Sequence, residues 1–190
     1  MIPVSLGGKP LADFTQPIEM MRDCHRRIEH FLDALRTVIV RPGEGNLTDE
    51  GRRALETALR YFKDFAPRHV ADEEQSLFPR MRSSADANVK EALLELDGLE
   101  CDHRRGESLH TTVERLGRLW LKSGHLDQSQ RERLRAAIDE LAAMYAGHIH
   151  LEEQRVFALA SELLNAQQLR EIGNEMKRRR GLNGPTIGVP

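Results

Sequence analysis

The sequence is poor in several residue types, and each shortage excludes a class of protein. Aromatic residues make up 5% of the 190 residues, so helices are favoured over strands. Two cysteines are too few for a disulfide framework, which makes the reducing cytoplasm the expected location. A net charge of −2 gives no electrostatic reason to expect a nucleic-acid partner. No apolar run approaches the roughly 20 residues of a membrane span, and the start of the chain does not resemble a signal peptide.

The sequence does contain two pairs of repeats. His-Arg-Arg-Ile-Glu at 25–29 returns 78 residues later as His-Arg-Arg-Gly-Glu at 103–107. His-Val-Ala-Asp-Glu-Glu-Gln at 69–75 returns 79 residues later as His-Ile-His-Leu-Glu-Glu-Gln at 148–154. A histidine and a glutamate four residues apart lie on the same face of a helix. Four such helices, packed together, would direct four imidazoles and up to four carboxylates to one place, which predicts a metal site with room for two ions.

Apolar residues recur at alternating steps of three and four through four predicted helices, and the four repeat histidines lie in this apolar seam. The pattern indicates an all-α protein with an up-down-up-down four-helix bundle. A short additional helix follows near the C-terminus. The predicted units are an extended N-terminal segment at 1–14, the bundle at 15–164, and a short C-terminal helix with a loose tail at 165–190.

Capping and breaking residues set the predicted helix ends. The first helix should run from about residue 17 to 40, and Thr48 should cap the second. Pro67 should bend or interrupt the second helix, which we expect to end near Pro79. Asp127 or Ser129 should cap the fourth helix. The basic run at 177–180 is interpreted as complementing the C-terminal end of the last helix, because cations are favoured there.

If the buried histidines had a purely structural role, their unpaired imidazoles would lower the stability of the fold. An unpaired buried imidazole costs roughly 1–3 kcal/mol, and burying Glu73 and Glu152 beside four of them costs more without compensation. Coordination to cations removes all of these costs together. Imidazole and carboxylate without thiolate suit iron, manganese or zinc. Six ligands exceed the needs of one tetrahedral zinc and fit two irons bridged by two carboxylates, although residue type alone leaves the metal open.

At these residues the chain resembles the hemerythrin-like family, also called the HHE cation-binding domain. The resemblance covers roughly residues 17–160. It implies a four-helix bundle with a non-haem di-iron centre that can bind oxygen, peroxide or nitric oxide. The family's ligand pattern falls on His25, His69, Glu73, His103, His148 and Glu152.

The chain departs from the oxygen-carrying members of that family at Glu107, where they have a further histidine. An anion there should favour the ferric state and disfavour reversible oxygenation. Glu107 is therefore a possible ligand, with an ion pair to a nearby arginine as an equal alternative; Glu29 is a weaker candidate of the same kind. Gly106 could leave a pocket for a diatomic ligand, or could allow close packing of its helix.

Other polar residues near the motifs are predicted to be structural. His110 lies about 10 Å along the helix axis from His103, which favours a hydrogen-bonded position in the core. Tyr145 is expected to be core as well, although it could donate to a bound oxygen species. Cys24 and Cys101 are interpreted as buried thiols without a role in the site.

Three functions remain open on the sequence alone. The first is a di-iron protein that binds or reacts with oxygen, peroxide or nitric oxide in stress response. The second is a non-catalytic sensor or an iron-binding and iron-donating module, and the third is a bundle with a structural zinc. Whether the protein is an enzyme is undecided. The expected partners are the small ligand, an unknown electron donor and at most a second copy in a weak homodimer, with neither nucleic acid nor membrane.

Overall fold

The computed structural model describes residues 12–40, 46–84 and 89–182. Most of the extended segment predicted at 1–14, and the tail beyond residue 182, lie outside these residues. So do residues 41–45 and 85–88, on which parts of two predicted helix breaks fall. Among the described residues no helix is long and apolar enough to cross a membrane.

The described chain folds into the predicted helical bundle. Its four long helices are α1 (Pro17–Val40), α2 (Asp49–Asp64), α5 (Val89–Ser123) and α6 (Gln128–Leu151). Helix α1 packs against α2 and α6, and α5 packs against the same two helices, so the four form a closed ring. An isolated antiparallel bridge between Asn46 and His125 ties the loop before α2 to the loop before α6.

Side-chain caps fix the starts of three helices, two of which the sequence analysis assigned to a cap. The Thr48 hydroxyl accepts a hydrogen bond from an amide of the first turn of α2 at 3.1 Å. Asp127, not Ser129, caps α6: its carboxylate accepts from the Gln130 amide at 2.8 Å, and the Gln130 side chain accepts in return from the Asp127 amide. Asn165 caps α8, which spans Ala166–Arg179.

The bundle consists of four helical rods, of which the second covers residues 49–82 and the fourth covers residues 128–163. These two rods each contain a π-helical turn, which was not predicted from the sequence. Pro67 interrupts the second rod as expected, and α3 begins beside it at Ala66–Asp72. The expected end near Pro79 is wrong, because α4 continues over Phe78–Arg82 after the π-turn. The π-turns span Glu73–Leu77 and Glu152–Val156, and α7 (Phe157–Leu163) follows the second. Both turns begin at the predicted bridging glutamates, and such turns frequently mark functional sites.

Two separate apolar clusters fill the bundle, and the predicted ligands lie between them along every rod. On α1, Ile28 belongs to one cluster and Met21 to the other, with His25 between. The second cluster also contains Ile172 and Met176 of α8, which therefore covers one end of the bundle. The polar centre is thus sandwiched between two dry regions, and this arrangement strengthens every electrostatic interaction within it.

Candidate metal centre

Six side chains converge between the two clusters, and all belong to the predicted ligand set. They form two groups of four that share Glu73 and Glu152, with the candidate ligand atoms of each group within 4.8 Å of one another. We call His25 and His69 with the shared glutamates the first half-site, and His103 and His148 with the same glutamates the second half-site. Glu73 and Glu152 are both 0% exposed, and the most exposed of the four histidines is His103 at 9%.

Glu73 faces both half-sites. Its Oε1 lies 3.1 Å from Nε2 of His69, one helical turn earlier on the same rod. Its Oε2 lies 3.5 Å from Nε2 of His103 on α5. One carboxylate thus presents one oxygen to each half-site, which is the arrangement expected of a bridging ligand.

Glu152 repeats this arrangement from the opposite rod. Its Oε2 lies 3.0 Å from Nε2 of His25, and its Oε1 lies 3.3 Å from Nε2 of His148. The Nε2 atoms of His103 and His148 also approach to 3.1 Å. Nitrogen lone pairs and carboxylate oxygens are therefore directed at common points from four helical rods.

Several of these buried atoms lack a hydrogen-bond partner among the described residues. They are Nε2 of His25, Nδ1 of His69 and of His148, and both oxygens of each shared glutamate. Buried polar atoms are almost always hydrogen-bonded, because an unsatisfied one costs about 1–3 kcal/mol. Apart from Oε2 of Glu95, all of the unsatisfied buried side-chain atoms of the described residues belong to His and Glu side chains of this centre, which are strong ligands for iron, manganese or zinc. The residues present therefore fit a bound metal.

Without a cation, the carboxylates of Glu73 and Glu152 would repel each other if both were ionised. Burial, and then the charge of Glu152, raise the pKa of Glu73 to about 8. Burial also acts to raise the pKa of Glu152, but His148 and His25 outweigh it and hold this pKa well below its usual value. One carboxylate is thus charged while its neighbour holds a proton. Two divalent cations would allow both to ionise.

The histidines divide in the same way. Burial acts to lower the pKa of His25, but Glu152, Glu153 and Glu73 outweigh it and raise the pKa to about 11. Burial and the neighbouring His25 lower the pKa of His69 well below its usual value. The metal-free centre therefore mixes one strongly basic imidazole with one that stays neutral.

In the second half-site, burial and the nearby His148 lower the pKa of His103. Burial acts in the same direction on His148, but the charge of Glu152 outweighs it and raises the pKa. Neutral imidazole is the form that binds a metal ion.

The second glutamate of each Glu-Glu pair supports a histidine from behind, a role that the sequence analysis did not assign. Glu153 Oε1 lies 3.0 Å from Nδ1 of His25, and Glu74 Oε1 lies 2.8 Å from Nδ1 of His103. A carboxylate at Nδ1 fixes the tautomer that leaves Nε2 free for a metal and makes that nitrogen a better donor. The repeated Glu-Glu was visible in the sequence, but the helical phase alone placed its second member off the seam.

The other two histidines do not share this support equally. Asp102 Oδ2 lies 3.5 Å from Nδ1 of His148. Neither Nδ1 of His148 nor Nδ1 of His69 has a hydrogen-bond partner among the described residues, so the nearby carboxylate is the only difference in their support. The repeat explains the difference, because the residue that precedes His25 is Cys24 where Asp102 precedes His103.

Two predicted candidates lie outside both groups. Glu107 is exposed and lines a cleft of about 530 Å³ that reaches His103. Glu29 is exposed on α1. The described structure brings neither carboxylate among the clustered ligand atoms, and their coordination of a metal stays a prediction.

The residues predicted to be structural lie largely as expected. His110 Nε2 is 3.0 Å from the hydroxyl of Tyr145, and burial lowers the pKa of His110 to about 4. The proposed pocket at Gly106 is wrong, because a Cβ there would lie 3.1 Å from the Cε of Met144, which fills the space. Cys24 is buried, but Cys101 is exposed, contrary to expectation.

An ion-pair network from α8 holds the back of the first π-turn. Arg179 Nη1 lies 2.8 Å from Oδ1 of Asp72, and Arg180 Nη2 lies 2.6 Å from Oδ2 of the same carboxylate. Asp72 is 0% exposed and immediately precedes Glu73. The basic run thus neutralises a buried acid from another rod, a role beyond the predicted complement to its own helix end.

Comparison with known proteins agrees with this geometry. The model of the hemerythrin HHE cation binding domain matches residues 16–160. The chain therefore belongs to the hemerythrin HHE cation-binding family. It is also 31% identical over 176 residues to an uncharacterized protein of Haemophilus influenzae, and the match covers 92% of this chain and 96% of that protein.

Proposed function

We propose that the protein holds a non-haem di-iron centre and uses it in the cytoplasm to bind or react with oxygen, peroxide or nitric oxide. The observation that carries this proposal is the pair of bridging glutamates. Each presents one oxygen to each half-site, and none of the four oxygens has a hydrogen-bond partner among the described residues. Six ligands in two overlapping groups suit two ions better than one tetrahedral zinc.

Iron, when bound, supplies redox electrons and polarises a small ligand. The chain's own residues prepare the place for it. Glu74 and Glu153 orient His103 and His25 through their Nδ1 atoms. The apolar clusters on either side, with Phe78 and Phe157 at 0% exposure, keep bulk water out. These features favour a protected redox centre, serving stress response or iron handling.

Metal analysis of the untreated protein, together with its optical spectrum, tests the proposal. About two irons per chain with near-ultraviolet and visible absorption would support it, because oxo-bridged ferric pairs absorb there. A stoichiometric content of zinc with a silent spectrum would overturn it in favour of a structural metal.

Rapid mixing of the reduced protein with oxygen, peroxide and nitric oxide then tests the reactivity. A fast spectral change with at least one of them would support a binding or reacting centre, with an unidentified electron donor to restore the reduced state. An iron-loaded protein that reacts with none of the three, but transfers its iron to an apoprotein acceptor, would instead indicate an iron-carrying module.

A further inference from the structure

The two half-sites are enclosed differently. In the first, the ring of Phe157 stacks on His25 at 5.3 Å, and the guanidinium of Arg22 covers that ring at 5.5 Å. In the second, His103 belongs to the lining of the cleft of about 530 Å³ between the second rod and α5. A ligand of the second half-site can therefore be approached from a cleft, whereas His25 is covered by an aromatic ring.

The cleft has a mixed lining that suits the passage of a cation. Val70 and Ala71 contribute apolar surface, while Glu74 and Glu107 contribute carboxylates. Glu107 is exposed, and Glu74 is 34% exposed in its side chain while its Oε1 contacts His103. A negatively lined cleft with low-dielectric walls raises the local concentration of cations and their rate of entry.

The imidazoles at the inner end of this route are also the better supported pair. His103 has Glu74 at Nδ1, and His148 has Asp102 at 3.5 Å. In the first half-site Glu153 supports His25. Nδ1 of His69 and Nδ1 of His148 both lack a hydrogen-bond partner among the described residues, but only that of His148 has a carboxylate as near as 3.5 Å. Carboxylates at Nδ1 strengthen metal binding by the opposite nitrogen, so accessibility and donor strength favour the same half-site.

We propose that this cleft is the entrance for the divalent cation and that the second half-site, His103 with His148, is filled first. The first half-site is then filled from inside the protein, across the shared Glu73 and Glu152. This inference rests on the proposed metal centre. It concerns the order and route of loading, and it assigns Glu107 a role in attracting cations at the mouth of the cleft.

Narrowing the cleft tests the route. Thr111 lines it on the exposed face of α5, and its hydroxyl donates to the Glu107 carbonyl at 2.8 Å. Thr57 is a matched control, because it is exposed on α2, lines a different cleft and donates to the Arg53 carbonyl at 2.8 Å. Thr111→Trp should slow cobalt(II) uptake by the full-length apoprotein about tenfold, equivalent to about 1.4 kcal/mol in the barrier; Thr57→Trp should not.

The outcomes of this stopped-flow experiment distinguish failure of the proposed entry route from failure of the proposed metal centre. Equal final cobalt content with a slow rate only in Thr111→Trp supports the route. Equal content with equal rates in both variants overturns the route and leaves the metal centre intact. An apoprotein that binds no metal ion, tested also with iron(II) and zinc(II), overturns the proposed centre itself.

Removing the charge at the mouth provides a second measurement. Glu107→Gln should slow uptake several-fold at low ionic strength, and the difference should shrink in salt because exposed charges are screened. Glu56→Gln is the control, since Glu56 is exposed on α2 and is not part of the cleft lining. A Glu107→Gln rate equal to that of the control would overturn the role of this carboxylate.

The order of filling is tested with the repeat-related ligands His69 and His148. With one equivalent of cobalt(II), His69→Ala should keep the rapid uptake of the unaltered protein, because its second half-site is complete. His148→Ala should take up the first ion slowly. Circular dichroism of both apoproteins serves as the control for correct folding. Slower uptake in His69→Ala than in His148→Ala would overturn the proposed order.

Discussion

The two halves of the bundle carry the same ligands in different surroundings. Each half supplies a histidine from one rod and His-x3-Glu from the next, 78 or 79 residues apart. The first half is covered by Phe157 over His25 and braced by α8 at Asp72. The second half borders a cleft, and the residue equivalent to Asp72 is Leu151. The repeat therefore determines which atoms could bind metal, while unrepeated neighbours determine how each ion is reached and held.

The largest expected effect is that of removing the metal from both halves together. The metal binds only the folded chain, and the unsatisfied oxygens of Glu73 and Glu152 lose their compensation without it. Chelation should reduce the free energy of unfolding by about 4 kcal/mol per ion, or about 8 kcal/mol for two, if each ion is present at about 1,000 times its dissociation constant. Thermal unfolding with and without chelator measures this. An unchanged melting temperature after verified metal removal would contradict it.

The ion pairs of Arg179 and Arg180 with Asp72 are expected to stabilise the first half of the bundle. The double substitution Arg179→Ala with Arg180→Ala leaves Asp72, at 0% exposure, without either of its arginines. Removing the partners of a buried charge costs about 3–5 kcal/mol, and denaturant unfolding should show a loss of this size. Arg178→Ala, at an exposed position in the same run, is the control. Equal stability of the two variants would mean that these ion pairs contribute nothing.

Two groups of the first half, Glu73 and His25, give the apoprotein a pH-dependent stability. The pKa of Glu73 is raised from 4.5 to about 8, so its contribution to the stability of the apoprotein is full below 4.5 and is lost as pH rises to about 8. The corresponding contribution of His25 is full below 6.5 and is lost as pH rises towards about 11. The apoprotein should therefore become less stable as pH rises from about 6.5 to 8.

Metal binding should have the opposite pH dependence, because the ions must displace the protons on Glu73 and His25. Two protons displaced correspond to roughly a hundredfold change in the apparent binding constant for loading the whole centre per pH unit. Titration calorimetry in buffers of different ionisation enthalpy counts the released protons. Release of none between pH 6.5 and 8 would contradict the raised pKa values.

Local sequence signals predicted much of this structure. Thr48 and Asp127 were identifiable as caps because a short-range hydrogen bond defines them. The six clustered residues were identifiable because helical periodicity and the repeat agree on their face. The contact of Asp72 with Arg179 and Arg180 joins residues 107 and 108 positions apart, and no periodic pattern encodes such a contact.

The π-turns escaped prediction for a related reason. A wider turn has poorer local hydrogen bonding, and it is retained only where packing on both sides requires it. Each turn adds a residue to the local phase, so Glu73 and Glu74 both reach histidines although they are adjacent in sequence. A strict helical phase assigns only one of them to the centre.

Removing one supporting carboxylate from each half should have equal consequences. Glu153 and Glu74 occupy equivalent repeat positions and approach their imidazoles to 3.0 Å and 2.8 Å. Loss of such a partner weakens metal binding about 10- to 100-fold. Glu153→Gln should therefore weaken binding in the first half-site and Glu74→Gln in the second, as measured by competition with a chelator of known affinity. Effects that differ by more than an order of magnitude would show that the Phe157 cover outweighs the shared support.

The smallest effect is expected where the repeat is broken beside the second half-site. Asp102 lies 3.5 Å from Nδ1 of His148 and is 39% exposed in its side chain, so solvent weakens its influence. Asp102→Asn should lower the affinity of the second half-site by less than Glu74→Gln does. Cys24→Ser is the matched change next to His25. It should leave the affinity of the first half-site unaltered, because the Cys24 side chain contributes no charge to that half-site. Asp102→Asn could instead weaken metal binding as strongly as Glu74→Gln. The two carboxylates would then contribute equally despite their different distances from the imidazoles. Both would be needed to explain stronger metal binding by the second half-site.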